Sequence, residues 1–254
     1  MLWLYRKVGS ESIRRAIGSW PAALSLIAYA LILVAAAILT SGLGMLGSLL
    51  MGLVSAACWS SYLELISQAV IAPKFRVDWS EFKRTFLSRF GDVISVMFAF
   101  WILSFVTIPL TRGPQGAAIS AMIGFAIAFF FNAVPELLYQ GNSRSFALLV
   151  DSGKFVMEHP VVWLLPNVLL AGAALLLGGG LSVEHPAELL ILFGSVFSSP
   201  GGIAGLFYRL PYWAMPLALF VLHFAMVFRG LLFRELASGR ANPRWREFQN
   251  KLRH

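Results

Sequence analysis

The sequence predicts an all-α, polytopic membrane protein with six transmembrane helices arranged as three helical hairpins. Hydrophobic residues make up 58% of the 254 positions and charged residues only 13%, whereas a soluble domain carries about 25% charged residues. Several apolar runs reach the roughly 20 residues that a helix needs to cross a bilayer. No charged or Pro/Ser-rich linker divides the chain, so we expect a single integral membrane domain covering residues 1–254.

Six apolar runs are predicted to span the membrane. The first run, from Pro21 to Leu39, is longer than the apolar region of a cleavable signal peptide, and a second run follows almost at once. Pro166 lies inside the fifth run and predicts a kink there. The approximate limits of the six runs are residues 20–40, 44–71, 93–110, 116–140, 161–180 and 211–233.

Residues 187–210 form a further apolar stretch, which is interrupted in its middle by Ser198–Gly202. If this stretch crossed the bilayer, the basic tail at residues 235–254 would lie outside, against the positive-inside rule. We therefore predict an outer-side re-entrant or interfacial segment at about 187–210, with both termini cytoplasmic.

The net charge of +8 comes from basic residues placed beside the apolar runs. This placement is typical of cytoplasmic loops and indicates anionic lipid headgroups, not nucleic acid, as the partner. Residues 73–92 and 142–159 are predicted to form cytoplasmic amphipathic helices, and residues 2–18 form either a third one or a plain tail. The side chains expected to contact headgroups are Lys74, Arg76, Lys83, Arg84, Arg240, Arg244 and Arg246.

Charged residues near the ends of the spans predict an intramembrane polar cluster. Glu64 and Glu136 each precede a glutamine by four residues, which places carboxylate and amide on one helical face. A charge inside a span costs about 2.5–3.5 kcal/mol, so a partner is expected, and Arg229 should pair with one or both glutamates. Alternatively, each side chain reaches the headgroups separately. The predicted members are Glu64, Gln68, Asn132, Glu136, Gln140 and Arg229, in a structural or an ion-binding role.

No catalytic, cofactor-binding or metal-binding residue is predicted. The chain contains no Gly-x4-Gly-Lys-[Ser/Thr], Gly-x-Ser-x-Gly or His-Glu-x-x-His motif. The Glu-His pairs at 158–159 and 184–185 flank the fifth span at opposite ends, too far apart to share one metal ion. His223 lies within the sixth span, and we interpret it as a packed, hydrogen-bonded histidine, with a proton relay as the alternative. Cys58 is the only cysteine, which excludes an intrachain disulfide.

Three stretches resemble a loose bacterial group of six-span inner-membrane proteins of the YciC type. A similar membrane domain is attached to some glycerophosphodiester phosphodiesterases. The likeness rests on Val134–Leu138, on Ser145–Leu148 with Ser152, and on Leu165–Asn167. The resemblance implies the three-hairpin plan and a bacterial inner-membrane location. It implies no activity, because the group has none agreed, and no phosphodiesterase domain is present in the sequence.

These observations favour a non-enzymatic membrane component that acts as a scaffold or accessory subunit of an envelope or transport assembly. The other proteins of that assembly would be its partners. The repeated surface helices and the basic tail support this interpretation. The first alternative is a small-molecule or lipid transporter or channel with a polar site around Glu64 and Glu136, because interrupted spans often mark binding sites. The second alternative is an intramembrane enzyme. A polar cavity that reaches either glutamate would favour transport, and a closed bundle would favour assembly.

Overall fold

A computed structural model describes residues 2–72, 87–112, 115–141, 145–177 and 215–238. Throughout these ranges every regular element is an α-helix, and no strand is present. The helices are α1 (Leu2–Gly18), α2 (Trp20–Thr40), α3 (Gly44–Ile71), α4 (Phe90–Leu110), α5 (Gly116–Phe130), α6 (Val134–Gln140), α7 (Ser145–Glu158), α8 (Pro160–Leu177) and α9 (Met215–Ala237).

Five helical stretches in the described part of the chain are long and apolar enough to cross a membrane. The helix α8, which corresponds to the predicted span at 161–180, contributes a shorter apolar stretch at Pro160–Leu169. The predicted segment at 187–210 lies outside the described residues. The five long stretches are Trp20–Thr40, Gly44–Ile71, Phe90–Thr107, Ala118–Gln140 and Pro216–Ala237.

A tight turn joins α2 to α3, and two glycines permit it. Gly44 has a φ of +54°, in the left-handed region that favours glycine. A Cβ atom on Gly47 would collide with the carbonyl oxygen of Thr40. Residues 42–47 read Gly-x-Gly-x-x-Gly, but they connect two helices, whereas a dinucleotide-binding turn connects a strand to a helix.

The helices α3 and α9 form the centre of the bundle. α3 packs against α1, α2, α4, α6 and α9, and α9 packs against α1, α2, α3, α6 and α8. The buried apolar side chains of α3 lie in its second half, from Ala56 to Val70. The core therefore lies at the end of the bundle that also carries Glu64, Glu136 and Arg229.

The opposite end of the bundle exposes large apolar side chains. Leu39 is 79% exposed in α2, and Met45 is 91% exposed in α3. A soluble monomer rarely leaves such contiguous apolar surface in water. Together with the long apolar helices, this surface is consistent with an integral membrane protein.

Candidate functional site

A fully buried ion pair joins α6 to α9. Arg229 donates from Nε to Oε1 of Glu136 over 2.7 Å and from Nη2 to Oε2 over 2.9 Å. Both side chains are 0% exposed. Two parallel hydrogen bonds between a guanidinium and a carboxylate fix the relative orientation of the two groups, and therefore of the two helices.

A helix break places Glu136 opposite Arg229. The predicted span at 116–140 is not one continuous helix, because α5 ends at Phe130 and α6 begins at Val134. Pro135 has no N–H group to bond the carbonyl oxygen of Phe131 four residues earlier, and that oxygen accepts from the backbone N–H of Val134 over 3.2 Å. The carbonyl oxygen of Asn132, also within the break, accepts a hydrogen bond from Nη2 of Arg229.

The side chain of Asn132 connects the same break to α8. Its Oδ1 accepts from Nε1 of Trp163 over 3.0 Å and from Nδ2 of Asn167 over 3.3 Å. The guanidinium carbon of Arg229 lies 5.2 Å from the ring centre of Trp163, within the range of a cation–π interaction. The buried charge thus sits where α6, α8 and α9 meet.

Gln140 joins α6 to α9 a second time. Its Nε2 donates to the carbonyl oxygen of Gly230 over 2.9 Å. A Cβ atom at Gly230 would collide with the hydroxyl of Tyr139 and would lie 2.7 Å from Cγ2 of Val70. Glycine at this position therefore allows α3, α6 and α9 to approach one another closely.

Glu64 pairs with Arg89, and no ion pair between Glu64 and Arg229 occurs among the described residues. Nε of Arg89 lies 2.6 Å from Oε2 of Glu64, and these side chains are 25% and 20% exposed. Nη1 of Arg89 also donates to the carbonyl oxygen of Leu138, at the far end of α6, over 2.9 Å. Gln68 donates to Oε1 of Glu64 over 3.4 Å.

The six predicted residues consequently fall into two groups that both contact α6. Asn132, Glu136, Gln140 and Arg229 lie together at the α6–α8–α9 junction, whereas Glu64 and Gln68 lie with Arg89 at a more exposed position. The sequence prediction did not identify Arg89. Its position directly before the apolar helix α4 was the available signal, because basic residues are common at the membrane edge.

Two arginines bind the C-terminal end of α3, a contact that the sequence did not predict. The last carbonyl groups of a helix have no partner within it. Nη1 of Arg15 donates to the carbonyl oxygens of Ala69, Val70 and Ala72 over 2.8–3.1 Å. Nη1 of Arg234 also donates to Val70, over 2.8 Å. The helices α1, α3 and α9 are therefore tied together at this end.

Side chains of α1 and α7 bind carbonyl groups in and beside the spans. Pro166 cannot donate to the carbonyl oxygen of Val162, and the hydroxyl of Tyr5 in α1 donates to that oxygen over 3.1 Å. Similarly, the hydroxyl of Ser152 in α7 donates over 2.8 Å to the carbonyl oxygen of Phe130, at the end of α5. Both contacts supply a donor to a part-buried backbone carbonyl at a point where the helical hydrogen-bond pattern is interrupted.

His223 is fully buried and bonds to the junction between α1 and α2. Its Nε2 lies 2.8 Å from Oγ of Ser19. Oγ of Ser19 also lies 2.7 Å from the carbonyl oxygen of Arg15, and when the hydroxyl donates its one hydrogen there, Nε2 of His223 is the donor to Ser19. This geometry matches the interpretation of a packed, hydrogen-bonded histidine.

No group of three or more metal-ligating side chains occurs within the described ranges. The ring of His159 packs edge-on against Phe155, with 5.4 Å between ring centres. The Glu-His pair at 184–185 and all predicted headgroup-contacting residues lie outside the described part of the chain. Those residues are Lys74, Arg76, Lys83, Arg84, Arg240, Arg244 and Arg246.

Comparison of the chain with protein-family models, curated proteins and solved structures found no match.

Proposed function

We propose that the protein is a non-enzymatic integral membrane component that acts as a scaffold or accessory subunit of an envelope or transport assembly. The complete burial of the Glu136–Arg229 pair carries this proposal. Both carboxylate oxygens of Glu136 accept hydrogen bonds from Arg229. A pair arranged in this way joins helices, and the carboxylate of Glu136 is not exposed to solvent.

The proposal includes a bacterial inner membrane, six spans and cytoplasmic termini. The placement of basic residues supports this topology, since Lys and Arg are enriched in cytoplasmic loops. The ends of α1 and α9 that carry Arg15 and Arg234 meet the same end of α3, which supports a common side for both termini. Membership of the YciC-type group is part of the same proposal.

Purification from membranes in a mild detergent tests the scaffold role. The tagged chain should retain one or more partner proteins in a fixed molar ratio, as measured by quantitative mass spectrometry after size-exclusion chromatography. An untagged strain provides the background. A chain that elutes alone, or only as a homodimer, from several detergents and after crosslinking in intact membranes would contradict the assignment.

A transporter or channel with a polar site around Glu64 and Glu136 is the second candidate. The interruption of the span between Phe130 and Val134 supports it, because broken helices often line binding sites. Within the described residues, the buried hydroxyl group of Tyr62 has no hydrogen-bond partner. Such a group is suited to bind a water molecule or a polar ligand.

Thiol accessibility at the break distinguishes the two functions. Asn132→Cys in a Cys58→Ala background would react with a water-soluble maleimide in native membranes if a polar pathway reached the break. The scaffold proposal predicts no reaction at this buried position. Ser41→Cys, in the exposed turn between α2 and α3, serves as the reactive control.

A further inference from the structure

We propose that α1 is a binding surface for anionic phospholipids and that lipid bound there stabilises the cytoplasmic end of the bundle. This inference rests on the membrane placement proposed above, but not on the scaffold role. The helix has one face docked on the bundle and another face exposed, and the exposed face combines apolar and basic side chains.

The inner face of α1 is fixed to three spans. Every fourth residue from Leu4 to Ala16 is buried. Tyr5 bonds to α8, Arg15 bonds to the end of α3, and Nζ of Lys7 lies 3.1 Å from Oε1 of Glu235 in α9. Because these contacts lie on different helices, a ligand that orders α1 also stabilises the positions of α3, α8 and α9.

The outer face of α1 carries large exposed apolar residues. Trp3 is 63% exposed, near the start of the helix, and Trp20 is exposed just beyond its end. Tryptophan is enriched at the interface between membrane and water, where the ring sits at headgroup level. The remaining exposed apolar side chains of this face are Leu2, Ile13 and Ile17.

Basic side chains lie among these apolar residues. Arg6 is exposed and forms no ion pair with the described part of the chain. Arg14 is bonded to Glu11, but its side chain is 77% exposed and can reach a second anion. α1 contains four basic residues and one acidic residue. A basic helix with exposed apolar side chains is typical of binding to an anionic membrane surface.

The position of α1 identifies the lipid surface as the ligand. Ser19 is the one residue between α1 and the apolar helix α2, so the C-terminal end of α1 lies within one helical turn of a helix long enough to span the bilayer. A nucleic acid would bind the basic side chains but would leave Trp3, Ile13 and Ile17 in water. The phosphate of a phospholipid can bind the basic side chains of this face, and its acyl chains can cover the apolar ones.

An environment-sensitive fluorophore on α1 tests this inference. Ser10→Cys, at an exposed position of α1, is labelled with a nitrobenzoxadiazole group in a Cys58→Ala background. The full-length protein is reconstituted into nanodiscs of phosphatidylcholine, or of an equal mixture with phosphatidylglycerol. We expect a blue-shifted emission and a higher unfolding temperature with phosphatidylglycerol, because each basic residue near the surface adds to the attraction for anionic lipid.

The variant Arg6→Gln/Arg14→Gln should lower the apparent affinity for phosphatidylglycerol, titrated in mixed micelles, by at least about fivefold. The control Arg112→Gln/Lys154→Gln removes two exposed charges from other elements and should leave the emission of the α1 label unchanged. Equal responses of the two double variants, or no response of the wild type to phosphatidylglycerol, would overturn the inference. A blue shift with inorganic phosphate alone would also contradict it, since no bilayer would then be needed. Failure to insert into nanodiscs would instead refute the membrane placement.

Discussion

Arg229 and Glu136 depend on each other because neither side chain contacts solvent. Removal of one partner leaves an uncompensated buried charge, which typically costs about 3–5 kcal/mol. We therefore expect Arg229→Met to lower the free energy of unfolding by about this amount. The measurement is thermal or denaturant unfolding of the purified protein in detergent, with Lys154→Met at an exposed basic position as the control.

A double substitution separates pairing from general damage at the site. Glu136→Leu/Arg229→Met replaces the pair with apolar side chains and should recover most of the lost stability, because apolar pairs often substitute well for buried ion pairs. The exchange Glu136→Arg/Arg229→Glu should recover part of it. If each double variant lost as much unfolding free energy as the two single variants together, a direct interaction between Glu136 and Arg229 would be contradicted.

At the residue scale, the sequence identified the charges that must be paired but not every partner. Charges are few in the apolar runs, so Arg229 was an evident candidate for Glu136. Arg89 is one of several basic residues between two spans, and composition does not show which of them pairs with Glu64. The hydrogen bonds of Asn132 with Trp163 and Asn167 likewise depend on packing that periodicity does not encode.

At the element scale, the contact between α1 and α8 depends on a proline. Tyr5→Phe removes the hydrogen bond to Val162, and we expect a loss of about 0.5–1.5 kcal/mol in unfolding free energy. In a Pro166→Ala background the new backbone N–H can bond to the same carbonyl oxygen. The Tyr5→Phe loss should then be smaller, and a double-mutant cycle measures the difference. If Tyr5→Phe lowered the unfolding free energy equally in both backgrounds, the hydrogen bond of Tyr5 would not depend on Pro166.

We expect Glu11 to make α1 sensitive to acid. A hydrogen bond from Arg15 lowers the pKa of the Glu11 carboxyl, against a smaller opposing effect of burial, and a hydrogen bond from Arg14 lowers it further. A lowered folded-state pKa adds stability above the unfolded-state pKa of about 4.3, and this stability is lost as the pH falls through the folded-state value. We expect the nitrobenzoxadiazole label at Ser10→Cys to report loosening of α1 below about pH 4.3.

In Glu11→Gln the carboxyl group is absent, and the acid-dependent part of this change should disappear. Emission that follows the same pH curve in both proteins would exclude Glu11 as its origin.

Helix limits were well predicted where apolar runs end at turns. The first two predicted spans, 20–40 and 44–71, coincide with α2 and α3. The break at Phe131–Ala133 was not predicted, because hydropathy averages over residues and does not report hydrogen bonds. The carbonyl oxygen of Asn132 accepts a hydrogen bond from Arg229, which lies 97 positions further along the chain. A local sequence pattern does not predict a contact between residues so far apart.

At the scale of the whole molecule, packing is concentrated at the end that holds the charged pairs. Ile66 is fully buried there, whereas Leu39 at the other end is 79% exposed. Ile66→Ala should lower the unfolding free energy by about 2–5 kcal/mol, because it leaves a cavity. Leu39→Ala makes the same kind of truncation on an exposed face and should cost far less. Equal losses in detergent unfolding would contradict this distribution of the core.

Transmembrane topology gives the most direct test of the whole arrangement. Single cysteines at Ser10, Ser41 and Ser238, in a Cys58→Ala background, occupy exposed positions in α1, the α2–α3 turn and the end of α9. They are probed in intact cells with a membrane-impermeant maleimide. We expect reaction at Ser41→Cys in intact cells, and reaction at Ser10→Cys and Ser238→Cys only after the cells are permeabilised. Reaction at Ser10→Cys or Ser238→Cys in intact cells would contradict a bundle whose charged, tightly packed end faces the cytoplasm.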